Sequence, residues 1–363
     1  MTDTSSSQQG RPRRPLEAGD IAPRFSWPDG EGGSVDPHGD RLAGKPMLIV
    51  FCPDLASEET TRLLTAFREV QARLKALGTH LYAVTRASAA TNQAFAATLG
   101  LRFALLSDPA GEGFRAYGLG NAAGAPEPQA PATFLLGRNQ HLLLVARGEE
   151  ASPAARSLER LEILAAQDRS QEMEPHPPLL IVPEVFGRAD CQHLMSIFAL
   201  QGNVWVDPGH GDKGMADDYK MRVYDYGRQD RIDHFVMTAK NRQFIGSRLQ
   251  SRLFPEIRKA FQYRITRYEP YRIACYEGER GGEMLGHRDD SQPMVAHRRF
   301  AVSVNLNTEE FEGGALRFPE FGGQRYRPAT GAAIVFSCSL LHEALPVTSG
   351  RRFVVLGFLS GEH

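Results

Sequence analysis

The sequence predicts two domains of different fold class: an N-terminal α/β domain and a C-terminal double-stranded β-helix (jelly roll) with supporting helices. Three observations predict this division. Strand-like and helix-like segments alternate up to residue 166, residues 167–178 are polar and rich in proline, and short strand-like segments separated by Gly and Pro turns dominate the remainder. A chain of 363 residues is also long for one domain, since the usual size is about 150 residues.

The composition narrows the function classes. There are 42 Lys and Arg against 43 Asp and Glu, a balance that predicts no nucleic-acid partner and no binding to an anionic membrane surface. No apolar run reaches the roughly 18–20 residues of a membrane span. The basic residues near the N-terminus have no hydrophobic segment behind them, so residues 1–15 are predicted to be a disordered tail rather than a secretory signal. Four scattered cysteines suit neither a disulfide framework nor a zinc site, and we expect reduced thiols in a cytoplasmic protein.

Residues 16–166 are expected to form the α/β domain. Continuous apolar runs predict strands at 47–51, 79–84, 103–106, 133–136 and 141–145, and helical spacing of apolar residues predicts helices at 58–77, 88–99, 111–117 and 154–166. Ser88 is expected to cap the second helix through its hydroxyl. Strands separated by helices imply a central sheet covered on both faces.

Three segments of this half are similar to peroxiredoxins of the thioredoxin fold. They are Gly-Asp-Ile-Ala-Pro-Arg-Phe at 19–25, Leu-Leu-Ser-Asp-Pro at 105–109 and Pro-Ala-Thr-Phe-Leu-Leu at 131–136. The resemblance implies a peroxide-attacking cysteine at the start of the helix after the first long strand, but that position falls on Glu59 or Thr60. The domain is therefore predicted to be non-catalytic and to contact a protein partner or a second copy of the chain.

Cys52 is the single cysteine of this half, and it precedes Pro53 at the end of a predicted strand. Two interpretations follow. The thiol is reactive if the loop exposes it; otherwise Cys52 is a small apolar residue that closes the strand.

After a linker at 167–178, residues 179–363 are expected to form the β-helix domain. We predict a strand at 179–182, a helix at 189–198, a long connection at 207–240 and a helix at 244–261. Seven short strands follow, at 269–276, 285–289, 300–306, 315–318, 332–336, 342–346 and 352–359, a pattern typical of a jelly roll. The connection contains polar residues that either shape substrate access or lie on the surface: His210, Tyr219, Arg222, Tyr224, Arg231, Asp233 and His234.

A candidate metal site lies among the last strands. Strand alternation points His287 and Asp289 to one side and Arg288 to the other. Two imidazoles and a carboxylate on one face of a metal form the ligand set of non-haem Fe(II) oxygenases. The second imidazole comes from His297 or His342, and His342 is favoured because it follows an apolar run at 332–336 that reads as a buried strand.

An arginine beyond His342 completes the pattern. Arg351 and Arg352 follow the turn Thr-Ser-Gly at 348–350, and a guanidinium at this distance from the metal strand can grip a carboxylate with two hydrogen bonds. Apolar residues occur on both sides of this strand, so alternation alone does not choose between the two arginines.

Residues from about 179 to the C-terminus resemble prolyl-4-hydroxylase-type Fe(II)/2-oxoglutarate dioxygenases. The matching segments include Ile-Ala-Cys-Tyr-Glu-Gly at 273–278, Val-Ser-Val-Asn-Leu-Asn at 302–307 and Gly-Gly-Ala-Leu-Arg-Phe at 313–318, together with the His-x-Asp pair and the stretch from His342 to Arg352. The resemblance implies that His287, Asp289 and His342 bind iron, that Arg352 binds the distal carboxylate of 2-oxoglutarate, and that Tyr276 supports this cosubstrate through its hydroxyl. Asn305 stands where oxygen-sensing prolyl hydroxylases have a tyrosine.

The expected activity is therefore hydroxylation of a C–H bond, with decarboxylation of 2-oxoglutarate to succinate and CO₂. Fe(II), 2-oxoglutarate and O₂ are the expected cofactors and cosubstrates, with ascorbate as a further candidate reductant. The substrate is expected to be peptidyl, prolyl groups included, or a small amino-acid-like molecule. The alternative is a thiol peroxidase or redox-binding protein that acts through Cys52 and carries a degenerate dioxygenase domain.

Overall fold

The computed structural model describes residues 14–28, 34–119, 130–148, 152–168, 172, 176–200, 204–206 and 231–362. The chain divides into two compact units, Met1–Ser170 and Gln171–His363, and this division falls inside the predicted linker. Most of the predicted tail and most of the predicted connection lie outside the described residues, and with them His210, Tyr219, Arg222 and Tyr224. In the part of the chain that is described, no helix is long and apolar enough to cross a membrane.

The N-terminal unit is a five-stranded sheet with helices, as the sequence predicts. Its strands are β1 (Trp27–Pro28), β2 (Ser34–Val35), β3 (Met47–Cys52), β4 (His80–Thr85), β5 (Ala104–Ser107), β6 (Ala132–Leu136) and β7 (Leu142–Arg147). The order of strands in the sheet is β5-β4-β3-β6-β7, in which β3, β4 and β5 run parallel and β6 and β7 are antiparallel. The helices are α1 (Glu58–Ala76), α2 (Ala89–Leu99), α3 (Glu112–Ala116) and α4 (Pro153–Gln167).

All six residues of β3 are buried because hydrophobic clusters cover both of its faces. Ile49 and Phe51 belong to one cluster, and Leu48, Val50 and Cys52 to the other. Burial on both faces explains why this strand is a continuous apolar run instead of an alternating one. The unit thus has the thioredoxin-like fold, and the predicted cap of α2 is confirmed, since the Ser88 hydroxyl accepts a hydrogen bond from the Thr91 amide at 3.2 Å.

The C-terminal unit contains two sheets. Their strands are β8 (Leu179–Val182), β9 (Val204–Val206), β10 (Arg231–Phe235), β11 (Arg264–Tyr268), β12 (Arg272–Glu277), β13 (Met284–His287), β14 (Phe300–Asn305), β15 (Phe311–Gly313), β16 (Leu316–Arg317), β17 (Arg325–Tyr326), β18 (Ala333–Ser337), β19 (His342–Ala344) and β20 (Val347–Glu362). The larger sheet has the order β8-β18-β14-β20-β12-β10-β9, with β11 and β15 also paired to β20. The smaller sheet has the order β13-β19-β16-β17. The helices are α5 (Arg188–Leu200), α6 (Ala239–Arg252) and α7 (Phe254–Phe261).

The larger sheet has two differently covered faces. On β12, Ile273 and Cys275 pack in a cluster with residues of the three helices, whereas Ala274 and Tyr276 pack in a cluster with residues of the smaller sheet. This alternation is the signature of a strand between two layers. The inner face of β12 therefore looks into the space between the two sheets, which is the predicted double-stranded β-helix arrangement.

The single helix predicted at 244–261 is wrong, because the structure has α6 and α7 with a break at Leu253. Pro255 accounts for the break, since it has no backbone N–H and its ring clashes with the carbonyl four residues earlier in a continuous helix. The predicted apolar stripe nevertheless persists: Ile245, Leu249 and Ile257 are all buried.

Several strand predictions are also corrected. The connection predicted at 207–240 contains β10, and its Arg231, Asp233 and His234 are buried rather than on the surface. The strand predicted at 269–276 begins only at Arg272, and β11 precedes it. The strand predicted at 285–289 ends at His287, so alternation along a strand does not explain the direction of Asp289.

Candidate metal centre

Three predicted ligands converge at one end of the space between the sheets. His287 ends β13 and His342 begins β19, and the two residues are direct partners across this strand pair. Asp289 lies between their imidazoles, with Oδ1 3.4 Å from His287 Nε2 and Oδ2 3.3 Å from His342 Nε2. One ligand atom from each residue lies within 4.8 Å of the others. Three donor atoms so close around a common point fit a single metal ion.

Backbone contacts position Asp289 beyond the end of β13. Its amide donates to the carbonyl of Cys338 at 2.9 Å, and its carbonyl accepts from Arg298 Nη1 at 3.2 Å. Arg298 is held in turn by two hydrogen bonds to Glu269, at 2.6 and 2.7 Å. The carboxylate thus faces the histidines because its backbone is tied down on both sides.

Arg288 points away from the ligands, as predicted. Its guanidinium donates to Glu320, with Nη2 2.6 Å from Oε1. Glu320 also accepts the amide of Leu341 at 3.0 Å. Because Leu341 precedes His342, this bridge connects the two segments that carry the ligands.

Both imidazoles have a fixed orientation. His287 Nδ1 lies 2.8 Å from the carbonyl of Leu285, and His342 Nδ1 lies 3.0 Å from the carbonyl of Leu340. A carbonyl oxygen only accepts hydrogen bonds, so Nδ1 of each ring carries a proton, and Nε2 is the nitrogen that can bind a metal once it has lost its own proton. Contacts of this kind set the tautomer of metal-binding histidines in proteins.

The acidities of the three groups differ for identifiable reasons. Burial opposes the charge on His287, but its hydrogen bond to Asp289 and the negative charge of Asp289 raise the pKa of this imidazole. Burial lowers the pKa of His342 in spite of the same carboxylate. Burial would raise the pKa of Asp289, yet the hydrogen bond from His287 and the positive charges around it hold that pKa below its usual value. The carboxylate is therefore ionised at neutral pH.

A cavity of about 60 Å³ extends from the triad between the two sheets. This volume is several times the roughly 10–15 Å³ that one water needs. Most of the lining is apolar, and its polar side chains are those of Arg231, Tyr276, His287, Asp289, Ser303, His342 and Arg352.

Arg352 lies in this cavity, 2 % exposed, and one of its guanidinium nitrogens has no hydrogen-bond partner among the described residues. Its Nε and Nη2 both donate to Asn305 Oδ1 at 3.2 Å, while Nη1 is buried with no hydrogen-bond partner among the described residues. A buried guanidinium with a neutral amide as its support and a free N–H fits an incoming carboxylate. Asn305, the departure from the family pattern, thus holds the arginine in place.

The neighbouring residues explain why Arg352 and not Arg351 points inward. Arg351 lies opposite Glu277 in the β12–β20 pair, is exposed, and forms an ion pair with that residue at 3.2 Å. Gly314 has φ +62° and makes room for Arg352, because a Cβ there would lie 2.9 Å from Arg352 Cδ. Gly314 therefore allows the close approach of the Arg352 side chain.

Tyr276 also lines the cavity, and its ring lies beneath the Arg352 guanidinium at 5.1 Å. Its hydroxyl accepts a hydrogen bond from Arg231 Nη1 at 3.4 Å. The sequence suggested for Arg231 only a role in substrate access or a place on the surface, and it suggested no role for Ser303, which also lines the cavity. The Arg-x-Asp spacing of Arg231 and Asp233, which puts both side chains on one face of a strand, was the available signal.

The competing candidates lie elsewhere. His297 is outside the triad and 3.1 Å from Glu269, with a side chain 56 % exposed. Cys52 lies in the fully buried strand β3, and burial raises the pKa of its thiol well above the usual range. A thiol that is buried and protonated is a poor nucleophile, which argues against the peroxidase alternative.

Comparisons with known proteins give a different match for each half of the chain. The AhpC/TSA family matches residues 18–144 and the 2OG-Fe(II) oxygenase superfamily matches residues 271–360. A PKHD-type hydroxylase of Synechococcus sp. (strain JA-2-3B'a(2-13)) is 27 % identical over 195 residues, which cover 50 % of this chain and 77 % of the relative. A PKHD-type hydroxylase of Shewanella sp. (strain MR-7) is 24 % identical over 187 residues, 48 % of this chain and 74 % of the relative. The solved structure of peroxidoxin BcpB from Mycobacterium tuberculosis is 20 % identical, with 41 % of this chain and 98 % of that chain covered and a TM-score of 0.37.

The C-terminal match, its hydroxylase relatives and the His-Asp-His triad together support an Fe(II)-dependent dioxygenase domain in the second half of the chain. The N-terminal half is peroxiredoxin-like in sequence and fold.

Proposed function

We propose that the protein is an Fe(II)- and 2-oxoglutarate-dependent dioxygenase that hydroxylates a C–H bond and converts 2-oxoglutarate to succinate and CO₂. The observation that carries the proposal is one cavity with two complementary features. His287, Asp289 and His342 aim their donor atoms at one point, and Arg352 brings a buried, incompletely paired guanidinium to the same cavity. A molecule with a metal-chelating end and a carboxylate at its other end matches both.

Each residue has a role that its surroundings explain. His287 Nε2, His342 Nε2 and the Asp289 carboxylate would hold Fe(II), which when bound supplies the activation of dioxygen. Arg352 would pair with the distal carboxylate of 2-oxoglutarate, and Tyr276 would support the same cosubstrate through its hydroxyl. Phe336 and the other apolar residues of the cavity exclude water, which strengthens each of these polar contacts.

For the substrate we propose a peptidyl group, with prolyl groups as first candidates, or a small amino-acid-like molecule. The support is the resemblance to prolyl-4-hydroxylase-type enzymes and the hydroxylase relatives.

For the N-terminal domain we propose a non-catalytic role, as a contact for a protein partner, for the substrate or for a second copy of the chain. Glu59 and Thr60 occupy the position of the expected nucleophile, and a carboxylate or hydroxyl does not replace a low-pKa thiolate there. Cys52, being buried, does not substitute for it.

The proposal is tested by turnover. Purified protein with Fe(II), O₂ and ascorbate is incubated with 2-oxoglutarate and a panel of proline-containing peptides and free amino acids. We expect succinate formation, stimulated by one class of compound that gains one oxygen atom by mass spectrometry. His297→Ala, which alters a histidine outside the triad, is the matched control for His342→Ala. Succinate formation that survives in His342→Ala and disappears in His297→Ala would show that the distal ligand is misassigned.

A further inference from the structure

Three polar residues form a straight row across the inner face of the larger sheet. Arg231 on β10 lies directly opposite Tyr276 on β12, and Tyr276 lies directly opposite Arg352 on β20. Directly opposed residues of neighbouring antiparallel strands share a face, with Cβ atoms about 4.5–5.5 Å apart. The Tyr276 ring is therefore flanked by two guanidinium groups, whose central carbons lie 5.9 and 5.1 Å from its centroid.

The two arginines of this row are engaged differently. Arg231 faces the Asp233 carboxylate with two nitrogens, Nε 2.8 Å from Oδ1 and Nη2 2.9 Å from Oδ2. Asp233 is completely buried. The charge of Arg231 is thus matched within the protein, while Arg352 has only the neutral amide of Asn305. Of the two, Arg352 is the arginine suited to an incoming carboxylate.

The third guanidinium nitrogen of Arg231, Nη1, does not face Asp233 and donates a hydrogen bond to the Tyr276 hydroxyl at 3.4 Å. A phenol has one proton to donate. Because a guanidinium cannot accept a hydrogen bond, the hydroxyl must accept from Arg231 and direct its own proton elsewhere. Among the described residues no acceptor is found for that proton, and the Tyr276 side chain lines the cavity.

We infer that Arg231 is a positioning residue that fixes the Tyr276 hydroxyl as a hydrogen-bond donor toward the cosubstrate carboxylate. The inference rests on the proposed function and extends it. Asp233 holds Arg231, Arg231 orients Tyr276, and Tyr276 donates beside Arg352. The carboxylate is then met by two donors, one cationic and one neutral, with the neutral donor set by a residue that does not touch the ligand.

The test is a double-mutant cycle on binding, carried out on the full chain without oxygen. Protein is loaded with Mn(II) and titrated calorimetrically with 2-oxoglutarate, and Mn(II) binding is measured separately. Arg231→Met and Tyr276→Phe should each raise the dissociation constant for 2-oxoglutarate about tenfold, the usual size for one hydrogen bond to a charged group. The double variant should also show about tenfold, because both changes remove the same hydrogen bond. Mn(II) affinity should stay unchanged.

Arg272→Met is the matched control. Arg272 lies 3.9 Å from the same Asp233 carboxylate, in the same pair of strands. If loss of charge beside Asp233 were the cause, Arg272→Met would weaken 2-oxoglutarate binding as much as Arg231→Met. We expect it to leave the dissociation constant unchanged. If Arg231→Met does not fold, the cycle is run with Arg231→Lys, which keeps a charge for Asp233 and loses the second edge of the guanidinium, with the same expected rise.

Two outcomes would overturn the inference alone: unaltered 2-oxoglutarate binding in the folded Arg231 variant, or effects of Arg231→Met and Tyr276→Phe that multiply in the double variant. A wild-type protein that binds no 2-oxoglutarate at all would instead contradict the proposed function, so the two failures are distinguishable.

Discussion

Two buried aspartates, one in each half of the chain, have carboxylates with different partners and therefore different roles. Asp108 in the N-terminal unit accepts hydrogen bonds from the amides of Glu112 and Phe114, at 2.9 and 3.1 Å. Its carboxylate is used to satisfy the free N–H groups at the start of α3. Asp289 in the C-terminal unit instead directs its carboxylate oxygens at the Nε2 atoms of two imidazoles.

The same contrast holds for the residues with which chemistry is usually associated. Cys52 is enclosed in the core of its sheet, whereas Arg352 is equally buried but keeps an unpaired N–H toward a cavity. Burial alone therefore does not distinguish a structural residue from a functional one. A hydrogen-bond donor or acceptor that has no protein partner and faces a cavity is what distinguishes the functional residue.

The largest difference should appear when each of the two aspartates is replaced by alanine in a separate variant. Asp289→Ala is expected to abolish turnover, by at least about a hundredfold, because it removes a metal ligand. Asp108→Ala removes only a helix cap and should cost about 0.5–2 kcal/mol of stability with metal binding unchanged. Succinate production, Fe(II) binding and thermal unfolding of both variants check this. Equal loss of Fe(II) binding in the two variants would erase the contrast.

The next effect separates two adjacent arginines. Arg352→Ala should weaken 2-oxoglutarate binding about tenfold to a hundredfold, since a charge-assisted hydrogen bond is worth about 1.5–3 kcal/mol, and should leave Fe(II) affinity nearly intact. Arg351→Ala should change neither, because that side chain pairs with Glu277 outside the cavity. Titration of metal and cosubstrate in both variants measures this; a reversed pattern would mean that the strand register is shifted by one.

A smaller effect should accompany acidification. Metal ligands must lose their protons to bind, and of the three groups His287 has the raised pKa while those of His342 and Asp289 are lowered. Fe(II) affinity should therefore be constant above the pKa of His287 and fall about tenfold per pH unit below it, as expected for one competing proton. Anaerobic Fe(II) titrations across pH give the slope. A pH-independent affinity would rule out this proton competition.

The smallest effect should come from the N-terminal cysteine. Cys52→Ala is expected to leave 2-oxoglutarate turnover unchanged and to cost at most about 1–2 kcal/mol of stability, since the thiol only packs within β3. A peroxide-consumption assay with a thiol reductant should give no activity in either protein. Peroxide reduction by the wild type that Cys52→Ala abolishes would make the protein bifunctional.

Features that depend on residues close together in the chain could be predicted from the sequence. The His-x-Asp pair, the glycines at 313–314 and the continuous apolar run of β3 all follow from residue type and short spacing, and so did the fold class of each half. Long-range pairing was not accessible in this way. The row from Arg231 through Tyr276 to Arg352 depends on the register of three strands that are far apart in the chain.

The direction of Asp289 shows the same limit from the other side. The prediction that it faces His287 rested on strand alternation, but the strand ends before it. Its orientation depends on Cys338 and Arg298, which are distant from it in the chain or become its neighbours only through the fold. Similarly, the surface alternative for Asp233 failed because the burial of Arg231 and Asp233 depends on the strands that pair with β10, which their spacing in the sequence does not reveal.

The central claim is that one C-terminal cavity binds a metal and 2-oxoglutarate together. The most direct measurement is anaerobic titration of the Fe(II)-loaded full chain with 2-oxoglutarate, followed by the visible charge-transfer absorption of the chelate. Our account predicts a band that saturates at one metal and one cosubstrate per chain, disappears in Asp289→Ala, and needs far more 2-oxoglutarate in Arg352→Ala. A folded wild-type protein that develops no band, or a band that Asp289→Ala leaves unaltered, would contradict it.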